Sequence, residues 1–426
     1  MKSSTDPSDP AYEATLEARC QALASTCVHA GDAPDPATGA LATPIVLASA
    51  FAFEDAEHAA AAFRGDNDAY IYGRWGNPTV EALEAKVAAL EGAEAACATA
   101  SGMAAVSGAL LSVCEAGSHV VAPRSMYGES ARLLRERLPK LGVATTFVDA
   151  TDPAAYEAAL RPETRVLYIE TPSNPTLGIA DLRALVALAR SRGIVTVADN
   201  TFATPFSQTP LAIGVDLVVH SMTKGLGGHG DAIGGAIVGS RERVAPARDL
   251  LVKGLGGVMS PFGAYLVARG MTTFALRQKQ ACSSAARLAR GLEGHAMVAK
   301  VHHPSLPSHP GHTLARAQMH AMGTLVSFEL EGSPSLPALE LARRVVSSVR
   351  LITHAVSLGD ARSLISHPAS TTHSTMPAPD RARAGISDGL LRLSVGIESH
   401  DDLARDLFGA FATASGAAVD GSTVRP

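Results

Sequence analysis

The sequence predicts an α/β protein with a mostly parallel sheet covered by helices on both faces, followed by an α+β cap. Two patterns carry this. Short apolar runs at 96–98, 119–121, 166–169, 194–198, 217–219 and 236–238 are continuous rather than alternating. Strands buried on both faces read that way, and the helical stretches between them supply parallel crossovers. After a long helical region from about 261 to 295 the pattern changes to a strand at 324–331, a helix near 336–349 and an alternating strand at 391–397. The chain has 426 residues, 46% of them hydrophobic and only 4% aromatic. That is long enough for two or three layers and more than one domain, packed closely through Ala and Gly.

The elements follow in order. Residues 1 to about 40 are rich in Pro, Asp, Ser and Ala and read as an extended or partly helical arm. Asn77-Pro78 opens a helix, with Asn as cap and Pro at the first helical position. Val80, Leu83, Val87 and Leu90 recur at helical spacing until Gly92 stops the run. The predicted division is an arm over 1–75, an α/β domain over 76–270 and an α+β domain over 271–426. Net charge is −5 with mixed signs, so no nucleic-acid footprint or membrane-surface patch is implied. The polar N-terminus lacks a signal-peptide core, and no run reaches the ~20 apolar residues of a membrane helix. Cys20, Cys27, Cys97, Cys114 and Cys282 are odd in number and scattered, as expected of reduced, buried thiols in a cytoplasmic protein.

In an open parallel sheet, ligands bind at the carboxyl ends of the strands. One run ends in Ser101-Gly102-Met103, a small-residue turn at a helix start that suits a phosphate. The next ends in Thr171-Pro172-Ser173-Asn174-Pro175, another in Asp199-Asn200-Thr201, and another in His220-Ser221-Met222-Thr223-Lys224. A desolvated lysine forms Schiff bases, and a carboxylate at a buried strand end keeps a pyridinium nitrogen protonated. Together these parts describe a pyridoxal-phosphate site. The glycines after Lys224 are expected to leave room for cofactor and substrate. GLGGHG at 225–230 lacks the strand-to-helix context and the later acid of a dinucleotide fingerprint, which argues against a nicotinamide oxidoreductase. His302, His303, His309 and His312 fit no standard metal spacing and read as loop residues. A catalytically silent binding protein of this fold would be expected to lose Lys224 or Asp199, and both are present.

YGRWGNPT, SGMAA, MYGES, ETPSNP, VADNT, HSMTKGLGGHGD, SPFGA, VHHPSLPSHPGH, AVSLGD and LLRLSVGIE occur in that order. Over about 25–410 the chain thereby resembles the cysteine/methionine-metabolism pyridoxal-phosphate enzymes. The resemblance implies the PLP-dependent transferase fold of type I, with a seven-stranded sheet. It implies that Lys224 bonds the cofactor and then shuttles protons, that Asp199 pairs with the pyridine nitrogen, and that Tyr127 stacks on the ring and is the acid for the leaving group. Gly102, Met103, Ser221 and Thr223 are implied phosphate ligands, and Tyr72 and Arg74 reach the phosphate of a neighbouring subunit. Asn174 is implied near the 3-hydroxyl, and Arg392, helped by Ser357, clamps the substrate α-carboxylate. At least a dimer is implied, and the family usually forms a dimer of dimers.

The implied reaction is γ-elimination on a sulfur-containing or O-activated L-amino acid, giving a 2-oxo acid and ammonia. γ-Replacement, in a sulfhydrylase or synthase, is the alternative. The 353–374 segment is most similar to methionine γ-lyase, and Val356 stands where cystathionine-handling enzymes carry glutamate. Two departures point the other way. Glu129 stands where methionine γ-lyases carry cysteine, and the 253–257 stretch has no acid after Lys253. If Glu129 reaches the pocket, it is expected to disfavour an apolar thioether and suit a substrate bearing an amino or hydroxyl group.

Overall fold

A computed structural model describes residues 9–374, 376 and 378–416. A seven-stranded sheet forms the first layer system. Its strands are β1 (Ala95–Thr99), β2 (His119–Pro123), β3 (Ala144–Val148), β4 (Thr164–Glu170), β5 (Val195–Asp199), β6 (Leu217–Ser221) and β7 (Gly235–Gly239). Their spatial order is β1-β7-β6-β5-β4-β2-β3, and β7 alone runs antiparallel to its neighbours. The six apolar runs are six of these strands. β3 carries no continuous apolar run: Ala144 is exposed and Thr145, Thr146 and Phe147 are half-buried at the sheet edge.

Helices cover both faces. The helix Pro78–Glu91 starts as the sequence predicts, with the Asn77 side chain accepting the N–H groups of Thr79 and Val80. It stops at Gly92, whose φ of 68° is left-handed. The helix Pro10–His29, capped by Asp9, is the ordered part of the N-terminal arm. Its Tyr12, Leu16, Cys20, Leu23 and Cys27 join the core of one face. The long helical region is built of two helices, Pro261–Met271 and Phe274–Glu293. The second runs between two cores: Phe274, Ala275, Cys282 and Ala286 pack with the large sheet, and Leu288, Ala289 and Leu292 with the C-terminal layers.

The C-terminal sheet holds β8 (Val298–His302), β9 (Leu325–Leu330), β10 (Thr353–His354), β11 (Leu364–Ser366) and β12 (Leu390–Ser394), in the order β10-β11-β12-β9-β8. The helices Ala338–Ser348 and His400–Ser415 pack on it. The histidine cluster is more ordered than a loop. His302 ends β8 and bonds Glu329 at 2.8 Å, and His303 is buried and bonds Ser305. Among the described residues no group of three or more His, Cys, Asp or Glu is placed to hold a metal. All five cysteines are free and buried, and no described helix is long and apolar enough to cross a membrane.

Candidate active site

Side chains along a strand alternate between faces, so register decides which groups meet. Val166 and Tyr168 of β4, Val197 of β5 and Val219 of β6 share one core with Ala105 and Ala109 of the helix Gly102–Leu111. Two residues further along the same faces come Glu170, Asp199 and Ser221, at the carboxyl ends of three adjacent strands. Glu170 and Asp199 are direct partners in the parallel ladder. The helix start and the two carboxylates therefore lie on one side of the sheet.

The cup is tight. Ser101 caps the helix, its hydroxyl accepting the Ala104 N–H at 3.1 Å. A Cβ on Gly102 would lie 2.6 Å from the Cβ of Ser221, so only glycine lets the helix start approach β6 this closely. The Ser221 N–H donates to Thr201 Oγ1 at 2.9 Å, and the Gly234 N–H donates to Thr223 Oγ1 at 3.1 Å. Met103 lines the same helix turn, with its sulfur accepting from Ser130. Asp199 is half of a satisfied cluster: one oxygen accepts the Thr201 N–H at 3.0 Å, the other the Tyr168 hydroxyl at 3.3 Å. Burial raises its pKa, and the Thr201 bonds and nearby His220 pull it back down.

Lys224 follows β6, and its Nζ donates to Ser357 Oγ at 2.6 Å. Burial lowers its pKa, and the Arg392 cation lowers it further. Ser357 has φ of +101°, a conformation that non-glycine residues adopt at a cost of about 1–3 kcal/mol. Its neighbour Gly359 is left-handed at φ of 70°, and a Cβ there would sit 2.4 Å from the Gly225 nitrogen. The 357–359 turn is thus pressed against the backbone of the lysine loop. Ser357 also accepts Arg392 Nη2 on its carbonyl at 3.1 Å, and Asn174 Oδ1 accepts Arg392 Nη1 at 2.9 Å. Arg392 is only 4% exposed, and its Nε has no hydrogen-bond partner. Burial pushes its pKa down to about 10, with Glu170 and Tyr127 opposing. A buried guanidinium with a free donor is a receptor for a carboxylate, since a single unpaired buried charge costs several kcal/mol.

Tyr127 precedes a short helix, Gly128–Arg132, at the edge of a cavity of about 850 Å3 that Asn174, Glu129 and His373 also line. Burial and the Glu129 carboxylate raise its pKa. Glu129 does border this cavity, yet its side chain is 57% exposed and lies 4.0 Å from Arg132. It is not a buried unpaired charge, which removes the desolvation penalty expected of it. Tyr72 and Arg74 stand apart. Arg74 lies 5.4 Å over the Tyr72 ring and donates to the Lys253 carbonyl. Within one chain they do not join the Lys224 cluster.

Two contributors escaped the sequence reading. Glu170 accepts the Tyr127 N–H at 2.9 Å and the Asn174 N–H at 3.1 Å. Its only sequence signal is a carboxylate ending an apolar run, as at Asp199. Arg277 donates to the carbonyls of Gly225, Leu226 and Gly270, clamping the loop after Lys224. A Cβ on Gly228 would lie 1.8 Å from its guanidinium, and one on Gly225 would meet Gln278 and Thr204. These two glycines make room for protein atoms.

An amine for an aldehyde, a carboxylate for a ring nitrogen, an aromatic for stacking and a close cup of N–H and hydroxyl groups fit pyridoxal phosphate. The chain belongs to the Cys/Met metabolism PLP-dependent enzymes, whose sequence model matches residues 24–412. It is therefore a pyridoxal-phosphate enzyme of fold type I. It is 42% identical to an L-methionine gamma-lyase of Fusobacterium nucleatum subsp. polymorphum, over 92% of this chain and 98% of that protein. It is 43% identical to an O-succinylhomoserine sulfhydrylase of Mycobacterium tuberculosis, over 86% of this chain and 90% of that one. The solved cystathionine gamma synthase from Xanthomonas oryzae pv. oryzae in complex with cystathionine superposes with a TM-score of 0.86 at 42% identity, covering 93% and 99% of the two chains.

Proposed function

We propose that this enzyme eliminates the γ-substituent of a sulfur-containing or O-activated L-amino acid, releasing a 2-oxo acid and ammonia. One observation carries the reading: Lys224 and Arg392 meet on the same residue, Ser357, one on its hydroxyl and one on its carbonyl. A carboxylate held by Arg392 brings its Cα close to the one amine in the site. Similarity to methionine gamma-lyases over nine-tenths of the chain supports the γ position.

When bound, pyridoxal phosphate supplies an electron sink for the pair left at Cα. The chain's own residues do the rest. Gly102, Met103, Ser221 and Thr223 would hold its phosphate at the helix start, Asp199 would keep a proton on its ring nitrogen, and Asn174 would serve its 3-hydroxyl. Arg392 orients the α-carboxylate, and Ser357 fixes both Arg392 and Lys224. Lys224 Nζ takes the Cα proton and returns it further along the substrate, and its lowered pKa favours the free amine this requires. Tyr127 Oη, kept protonated by its raised pKa, gives a proton to the leaving group.

γ-Replacement is the second reading, and the charged wall of the cavity favours it. Glu129, Arg132, Arg135 and Glu136 line the space beyond Tyr127, which suits a polar second substrate better than a methylthio group. Glu129 would act there on the γ-end of the substrate. The same proposal includes the division into an arm over 1–75, a cofactor domain over 76–270 and a C-terminal domain over 271–426. It also includes a cytoplasmic setting and a dimer-of-dimers assembly, with Tyr72 and Arg74 completing a neighbour's phosphate site.

The test is a panel of L-methionine, L-homocysteine, L-cystathionine and O-acetyl-L-homoserine, each with and without an added thiol. Elimination predicts 2-oxobutyrate without thiol from at least one of them. Turnover that appears only with thiol would establish replacement. No turnover under either condition would overturn both readings.

A further inference from the structure

Glu170 has no role in the reading above, yet the site is built around it. Its carboxylate is 3% exposed at the end of β4, between Asp199 and the Arg392 side. Burial and the Asp199 charge push its pKa well above the ordinary carboxylate range, and the two N–H groups and Arg392 oppose this. A carboxyl in that position is costly unless each oxygen is used. Each is used: Oε2 takes the Tyr127 N–H and Oε1 takes the Asn174 N–H.

The two oxygens reach two separate segments, the start of the helix Gly128–Arg132 and the loop after β4. The helix Gly128–Arg132 begins at Tyr127 with no side-chain cap, so the Tyr127 backbone is tied to the sheet through Glu170. Asn174 lies in the loop after β4 and carries Arg392 on its Oδ1. One carboxylate therefore spans the residue over the ring and the residue that holds the substrate clamp.

We propose that Glu170 is a positioning residue, whose carboxylate sets the place of the Tyr127 ring and of the Asn174–Arg392 pair through two backbone N–H groups. The proposal rests on the functional reading only in giving Tyr127 and Arg392 work on the substrate.

Glu170→Gln keeps the size of the side chain but replaces one acceptor oxygen with an NH2 group that faces an N–H. One of the two anchors is then lost. In the holoenzyme the expected result is a fall in kcat of roughly tenfold to a hundredfold, the scale of misplacing a catalytic group by about 1 Å. Removing the Tyr127 hydroxyl first should erase the part of that effect that runs through its proton transfer and leave the part that runs through Arg392. In a Tyr127→Phe background Glu170→Gln should lower kcat by a smaller factor than in the wild type, because residues acting as a unit are not additive. The visible circular dichroism of the bound cofactor should change between wild type and Glu170→Gln, and again between Tyr127→Phe and the double variant, because phenylalanine keeps the ring and the backbone N–H that the anchor holds.

The dichroism arm needs no turnover, so it stands even if every substrate in the panel fails and the proposed reaction falls. Equal losses of kcat in both backgrounds, or wild-type kcat and dichroism in Glu170→Gln, would overturn the proposal. If Glu170→Gln does not fold, Glu170→Asp carries the same comparison. It retains both acceptor oxygens on a shorter arm. A loss larger in the Tyr127 background than in the Tyr127→Phe background supports positioning, and a loss equal in both, or none, overturns it.

Discussion

At the scale of single residues, the site holds two cations that burden each other. Lys224 and Arg392 share Ser357, both are desolvated, and each is short of a direct carboxylate bond. The lysine yields, because its amine can lose a proton and a guanidinium cannot readily do so. Its pKa is lowered first by burial and then by Arg392. The fraction of free amine at neutral pH is therefore raised, and capture of added pyridoxal phosphate by the cofactor-free protein should reach half its maximal rate at a pH below that of a free lysine. Arg392→Gln removes a positive neighbour, raises the lysine pKa and should move that midpoint upward. An unmoved or lowered midpoint would mean that Arg392 does not govern the amine. Lys224 and Asp199 were legible in the sequence because each follows an apolar run and belongs to a recognisable motif. Glu170 and Arg277 were not. The role of Glu170 depends on the β4–β5 register that sets it beside Asp199, and that of Arg277 on a helix crossing the lysine loop some 50 residues later in the chain.

At the scale of elements, the helix Gly102–Leu111 can serve an anion only because its start touches β6. Gly102→Ala would put a methyl group 2.6 Å from Ser221 Cβ and force the two apart. Cofactor affinity, read by titrating the cofactor-free protein, should fall by tenfold or more, about the weight of one good charge-assisted contact. Unchanged affinity would show that the cup binds elsewhere. A second element prediction concerns Asn77. Its side chain caps the helix Pro78–Glu91 and its amide donates to the Val46 carbonyl at 2.8 Å. Asn77→Ala should cost about 1–2 kcal/mol of stability, and Asn77→Ser less, since serine keeps the cap and loses only the Val46 bond. Equal losses in thermal unfolding would assign the effect to packing instead. The Asn77 cap, Gly92 stop and six buried strands were readable because local chemistry and burial agreed. β3 was not, since an edge strand covered on one side has polar residues where the central strands have valines; its Thr146 instead bonds His119 of β2 at 2.9 Å. The break at 272–273 was also hidden, because it answers to tertiary contact: a Cβ on Gly270 would lie 2.2 Å from the Gly227 carbonyl of the lysine loop.

At the scale of the whole molecule, large apolar side chains stand exposed on the arm, at Leu41, Leu47, Phe63 and Tyr72, and further on at Ile233, Leu255 and Phe262. Ile233 adjoins Gly234, the partner of Thr223, so this exposure reaches the edge of the proposed phosphate cup. A second copy covering it would bring Tyr72 and Arg74 to that cup, which their own chain does not do. Mixed after dissociation, inactive Lys224→Ala and Arg74→Ala chains should regain about a quarter of wild-type activity, the share of native sites in randomly paired dimers. No recovery would show that each chain builds its site alone. All of this depends on the lysine. The most direct test is the visible spectrum of the purified protein before and after borohydride, followed by mapping of the labelled peptide. A yellow band that borohydride abolishes, with the label on Lys224 and no such band in Lys224→Ala, is the predicted result. A colourless protein that stays colourless with added cofactor, or a label on another lysine, would contradict it.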